Sequence, residues 1–243
     1  MNYSNYLKKN KCVIFLFHGV LNKDNDKLLN CVKKHISKNK FSKIIKSLST
    51  KGTSLNFDEY VYYSQTKKKF PKNSFLITFD DGFFNNFKIA APILEKYNTK
   101  AIFYLTTNFI DKNYMSWTDR IDYAVKKTRR GEIKIGNKKL SFTNKLKSKI
   151  NFVLEIRNIV KNNLSINSEK FADKIQKKLL NKTIKTSNLN IYKKMSWSNI
   201  NRLLRNDLFS VGGHSHNHET LTKLNESQLN KEIKLSLRYI KEK

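Results

Sequence analysis

Proline, cysteine and glycine are all scarce in this chain of 243 residues, which holds two prolines, two cysteines and seven glycines. With so little Pro and Gly, no stretch reads as a flexible linker, and no segment is of low complexity beyond a lysine bias. Cys12 and Cys31 lack CxxC spacing and offer no disulfide framework, which fits a reduced compartment. Long apolar runs are missing too. The N-terminus offers only CVIFLF, residues 12–17, too short for a signal-peptide core or a membrane span, and it reads as a buried strand. The expected location is the cytoplasm, with the inner membrane face as the alternative.

Acidic residues are the other shortage: 19 Asp and Glu stand against 49 Lys and Arg, for a net charge of +30. The excess is mostly lysine, scattered through every expected element in short runs such as Lys67-Lys68-Lys69. Nucleic-acid sites gather Arg, Lys and aromatics on one face. We therefore expect no specific nucleic-acid partner, only a weak, salt-sensitive attraction to an anionic membrane surface or polymer. What is present suits a globular chain: 39% hydrophobic and 12% aromatic residues can fill one large domain or two small ones.

The expected elements alternate. CVIFLF ends at His18-Gly19. FSKIIKSLS, from Phe41, has helical spacing, and SFLITF, 74–79, reads as a second buried strand. Residues 84–97 turn helical, with Pro92 placed to kink them. KAIFYLTT, 100–107, is a third strand. Strand, helix and strand in so short a span make a βαβ unit and point to a parallel sheet or barrel. The middle differs. A short helix at 119–127 precedes a hairpin at 131–142 turning at Gly136-Asn137, then two lysine-rich helices at about 144–164 and 168–182. The main pattern resumes with a helix over 195–207, burying Trp197, Ile200, Leu203 and Leu204. A strand at 209–213 and a last helix capped by Asn225 and Gln228 follow. The expected division is 1–110 for the first part of the main domain, 111–194 for an insertion, and 195–243 for its continuation.

Two stretches carry chemistry. FLITFDDGF, 75–83, sets two aspartates and a glycine where an apolar strand runs out. Adjacent carboxylates repel and are costly to bury, so a buried pair needs a cation. VGGHSHNHETL, 211–221, holds three of the five histidines. His214 and His218 can reach one point, and imidazoles at that spacing suit Zn²⁺ or a similar metal, with a carboxylate as third ligand. Residues i and i+1 of a strand face opposite ways, so both aspartates reach one site only if the chain turns there, as Gly82 allows. Asp81 would then bind the metal and Asp80 would take a proton. The plain alternatives are an exposed Asp-Asp-Gly turn and a surface histidine pair.

TFDDG at 78–82 and H-S-x-x-H at 214–218 resemble the first two motifs of the polysaccharide deacetylases, carbohydrate esterase family four or the NodB-homology domain. FHGV at 17–20, MSW at 195–197 and HETLTKL at 218–224 agree with that resemblance, which covers about 11–110 and 195–243. It implies an α/β fold, a distorted (β/α) barrel, here with a mainly helical insertion. It also implies metal-dependent hydrolysis of N-acetyl or O-acetyl groups on a polysaccharide or glycan precursor. By the same resemblance Asp80 is the general base, Asp81, His214 and His218 bind the metal, and Thr78 and Ser215 support them. Zinc is the default metal, and cobalt or nickel would suit the same ligands. His216 falls on a variable position and is expected to be a bystander.

The sequence departs from the family in its later motifs, including the Leu-x-His whose histidine serves as acid. No histidine follows His218. The expectation is a barrel incomplete at its C-terminal end. His18, after the first strand, is the spare histidine that can line the pocket, whereas His35 sits among lysines with no assigned role. Trp117 and Asp119 open the insertion and are expected to anchor it. Two other readings stay open: a degenerate, non-catalytic member that binds metal or glycan, and a basic protein for nucleic acid or a membrane surface.

Overall fold

The computed structural model describes residues 3–23, 26–66 and 68–243. Its centre is a wholly parallel sheet. Strand β1 is Val13–Phe17; β2, Gly19–Leu21, and β3, His35–Ser37, pair with each other in a small separate sheet. Helix α1, Lys38–Ser49, is capped by the Ser37 hydroxyl, which accepts from the Lys40 N–H. A two-residue strand β4, Thr53–Ser54, leads to helix α2, Phe57–Gln65, whose start is closed by an Asn56/Glu59 capping box. Strand β5 is Ser74–Phe79. After it come helix α3, Ala91–Lys96, and strand β6, Ala101–Leu105.

The middle follows the expected order. It contains helix α4, Trp117–Lys127, the hairpin β7, Gly131–Ile135, with β8, Lys138–Phe142, and helices α5, Leu146–Asn162, and α6, Ser168–Leu180. The hairpin turns at Gly136, whose φ of +57° is easy for glycine. Helix α7, Trp197–Leu203, strand β9, Phe209–Gly213, and helix α8, Glu226–Glu242, complete the chain. The main sheet has the order β1-β5-β6-β9, with β4 also paired to β5, and every pairing in it is parallel.

β5 is buried along its whole length because it is central, with neighbours on both sides and both faces covered. Phe75, Ile77 and Phe79 point to one face. With Phe103 and Leu105 of β6 they pack against Phe41, Ile44, Ile45 and Leu48 of α1, Ile93 and Leu94 of α3, and Ile200 and Leu203 of α7. Phe17, Phe79, Phe103 and Phe209 run across the sheet as a chain of ring contacts, with centroids 5.0–5.7 Å apart. This band lies directly beneath the residue that follows Phe79, so Asp80 leaves from a rigid platform. A second cluster joins α4, the hairpin, α5 and α6 through Trp117, Ile121, Phe142, Phe152, Ile156 and Ile175.

Three expectations need correcting. β1 is an edge strand rather than a buried one, and Ile14 and Leu16 on its second face are 49% and 56% exposed. Residues 84–96 are helical as expected, with a π-turn at Asn86–Ala90 running without a break into α3. Pro92 follows directly on that π-turn, and with no N–H to give the carbonyl one turn back it sits where the helix departs from regular α geometry. The helix expected over 195–207 spans only 197–203, which leaves Leu204 40% exposed. Helix α2 was not expected at all.

Candidate metal centre

The site forms where strands end. Asp80 follows β5, and its N–H still donates to the carbonyl of Phe17, 3.0 Å away, extending the β1–β5 ladder by one step. The chain then turns sharply, with Asp81 at φ +71° and Gly82 at φ +67°. A left-handed aspartate is uncommon and is held by its surroundings. Those surroundings are the 193–195 segment: Met195 N–H donates to Gly82 C=O at 2.9 Å, and Phe84 N–H to Lys193 C=O at 2.8 Å. The turn carries both carboxylates into one place, although neighbouring residues on a strand would part.

His214 continues β9 in the same way, its N–H donating to Leu105 C=O at 2.9 Å. Beyond it Ser215 and His218 both have positive φ, and the Ser215 hydroxyl accepts from the His218 N–H at 3.1 Å. The tight loop turns both imidazoles inward, with ring centroids 5.2 Å apart. Glu232 on α8 fastens this loop from behind by accepting the backbone N–H groups of His216 and Asn217. His216 itself points elsewhere: Nδ1 is 2.9 Å from the Thr107 hydroxyl and the ring stacks on Tyr239.

Asp81 Oδ1 lies 3.7 Å from His214 Nε2 and 3.2 Å from His218 Nε2, and the three donor atoms all fall within 4.8 Å of one another. Donors held about 2 Å from one tetrahedral ion stand roughly 3.3 Å apart, so the spacing fits Zn²⁺ or a similar divalent cation. Asp81 Oδ1 is also buried without a hydrogen-bond partner among the described residues, a state that a bound cation would relieve. Burial alone would push the Asp81 carboxyl up. The His218 imidazole 3.2 Å away, with the charges of Lys34 and Lys194, outweighs that and holds it well below the usual carboxylate range.

Asp80 behaves oppositely. Burial raises its carboxyl and Asp81 adds to the rise, against the pull of His214, His18 and His218. The two adjacent carboxylates are thus pushed apart in acidity, as two distinct roles require. His18 lines a groove of about 990 Å³ together with Asp81, Trp117 and His218. Burial lowers its imidazole, while Asp81 and Asp80 draw it the other way.

Three participants escaped the sequence. Lys34 pairs with Asp119 at 3.0 Å and approaches Asp81 Oδ2 to 3.6 Å. Burial would lower its ammonium, but Asp119 and Asp81 more than offset this and raise it. Lys194 is buried over the Phe83 ring, 3.5 Å from its centroid, and desolvation brings its ammonium down to about 8. Glu232 is the third. Asp119, expected only to anchor an insertion, holds a lysine beside the candidate ligand. His35 is not a lysine-patch residue but a buried ring, edge-on to Phe83 at 4.8 Å.

The family model described as polysaccharide deacetylase matches residues 67–243. No curated protein matches the sequence. Three solved structures share the fold at low identity. Deacetylase PplD of Streptococcus pyogenes, solved in complex with acetate, is 13% identical with a TM-score of 0.56, over 97% of this chain and 70% of that one. IcaB of Ammonifex degensii is 13% identical with a TM-score of 0.55, over the same shares of the two chains. BC0361, a polysaccharide deacetylase of Bacillus cereus, is 15% identical with a TM-score of 0.52, over 96% of this chain and 48% of its own.

Proposed function

Because this chain belongs to the polysaccharide deacetylase family, we propose that it is a metal-dependent hydrolase removing acetyl groups from an N-acetylated or O-acetylated glycan. The observation that carries the proposal is the meeting of Asp81, His214 and His218 around one point, with Asp80 on the adjoining residue. Asp81, His214 and His218 would hold the cation, with zinc the first choice and cobalt or nickel suited to the same donors. When bound, such an ion supplies Lewis-acid activation of water and of the acetyl carbonyl.

The protein's own groups handle the protons. Asp80 accepts a proton from the attacking water as the new C–O bond forms. Its raised carboxyl brings its basicity closer to the working pH. His18, which lines the groove, donates a proton to the sugar nitrogen as the C–N bond breaks, so amine and acetate leave in balance. The groove, at the upper end of the range for ligand sites, gives a saccharide room beside His18, Asp81 and His218, which line it.

The test compares Asp80→Asn with Asp81→Ala on N-acetylglucosamine oligomers, following free amine and bound zinc. Asp80→Asn should keep the metal and lose turnover by about 10²–10⁴-fold, the usual worth of a positioned base. Asp81→Ala should lose the metal as fully as His214→Ala. A wild-type protein that binds zinc but releases no amine from any acetylated glycan would instead favour a metal-binding, non-catalytic member.

A further inference from the structure

Lys34 occupies a place that surface lysines do not. Its ammonium donates to Asp119 Oδ1 at 3.0 Å and stands 3.6 Å from Asp81 Oδ2, and both carboxylates are almost fully buried. The Phe83 ring closes one side, with its centroid 4.9 Å from Nζ. Lys194 lies nearer the same ring at 3.5 Å, and its Nζ is buried with no hydrogen-bond partner among the described residues. The close ion pair with Asp81 is therefore made by Lys34. The other Asp81 oxygen faces His214 and His218. A single buried carboxylate thus looks toward two cation positions, one filled by the chain's own ammonium and one framed by imidazoles.

Resting on the reading of Asp81 as a metal ligand, we propose that Lys34 is an internal counter-ion that shares Asp81 with the metal. With the metal position empty, Lys34 offsets the charge of a fully buried carboxylate, which is costly to leave uncompensated. With the position filled, the ammonium is a like charge a few ångströms from the ion, in a medium that screens poorly, and it weakens the hold on the metal. Asp119 sets the balance. It takes the shorter contact, keeps Lys34 from closing fully on Asp81, and so lets α4 of the insertion tune the centre. Lys34 is in this sense a positioning residue that does not touch the reacting atoms.

The sign of the effect separates this proposal from a packing role. Metal-free wild type, Lys34→Met, Lys34→Arg and Asp119→Asn are titrated with Zn²⁺ against a chelating dye and melted with and without Zn²⁺. Lys34→Met should bind Zn²⁺ about tenfold tighter or more, because a nearby like charge has gone. It should also melt lower without the ion, so that zinc raises its Tm more than it raises that of wild type. Lys34→Arg should behave like wild type. Asp119→Asn should bind more weakly, since a negative charge is lost and Lys34 is freed to move onto Asp81. Packing alone would weaken both Lys34→Met and Asp119→Asn. Unchanged or weaker zinc binding by Lys34→Met overturns the proposal, and if that variant folds under neither condition, wild-type affinity in Asp119→Asn does so. Absence of zinc binding in the wild type would sink the ligand assignment itself, a separate outcome.

Discussion

The carboxylate of Glu232 receives two consecutive backbone N–H groups, those of His216 at 3.0 Å and Asn217 at 2.7 Å, as well as the side-chain amide of Asn217. Helix α8 thereby holds a loop in which two residues keep left-handed backbone angles. Replacing Glu232 with alanine would orphan these donors and free the loop. We expect a loss of about 1–3 kcal/mol of stability and at least a severalfold fall in zinc affinity. Calorimetric titration with Zn²⁺ and thermal melts would check both. Normal zinc affinity in Glu232→Ala would mean the loop keeps its shape without the carboxylate.

His18 is expected to serve the leaving group. His18→Ala should keep zinc and lose activity on an N-acetyl sugar by about a hundredfold or more, the lower range for a positioned acid. An aryl acetate, whose phenolate leaves without protonation, should be hydrolysed nearly as fast as by wild type. Comparing the two substrates separates a lost acid from a damaged site. Equal losses on both would remove His18 from the role.

The buried imidazole of His35 gives stability a defined pH slope. Burial, with Lys34 adding to it, lowers this group from 6.5 to about 3. Between those values the unfolded chain takes up a proton that the folded chain refuses, so this residue makes stability fall as pH drops from 6.5 toward 3 and adds nothing further below. Asp122, raised by burial to about 7, works in the opposite sense. The difference between wild type and His35→Asn isolates the histidine. Urea denaturation at steps from pH 6.5 to pH 4.5 should show a steeper decline for wild type, and parallel declines would mean that the ring is protonated in the fold.

Much of the scaffold was legible because the sequence repeats its message at several levels. The run Ser74–Phe79 is apolar on both faces, as a central parallel strand must be, and it leads straight into the paired aspartates. Gly136 marked the hairpin, and Asn225 with Gln228 marked the start of the last helix. The site was readable where chemistry is dense: Asp81, His214 and His218 do converge. The misses have physical causes. A strand's own residues do not say whether it has a neighbour, so the exposure of Ile14 and Leu16 could not be read from β1 alone. Helix α2 buries none of its residues and so leaves no clean apolar stripe. Lys34 is one of 49 basic residues and meets its partners only across long sequence separations, 85 positions in the case of Asp119. Glu232 sits in a helix that reads as ordinary surface until its partner loop is folded against it.

Strand β6 has a further consequence for how the molecule can be taken apart. The carboxylate donor leaves from β5 and the imidazole donors from β9, and β6 lies between them, pairing with each. Two strand spacings, about 9.6 Å, separate the strands that present the two halves of the centre, whatever the length of chain joining them. The hairpin turn at Gly136, where an added Cβ would meet nothing within 4 Å, lies on that joining stretch. Cutting there yields one fragment with Asp81 and β6 and another with β9 and both histidines. Neither fragment has all three candidate ligands, so on the proposed reading metal capture would signal that the two pieces have found each other.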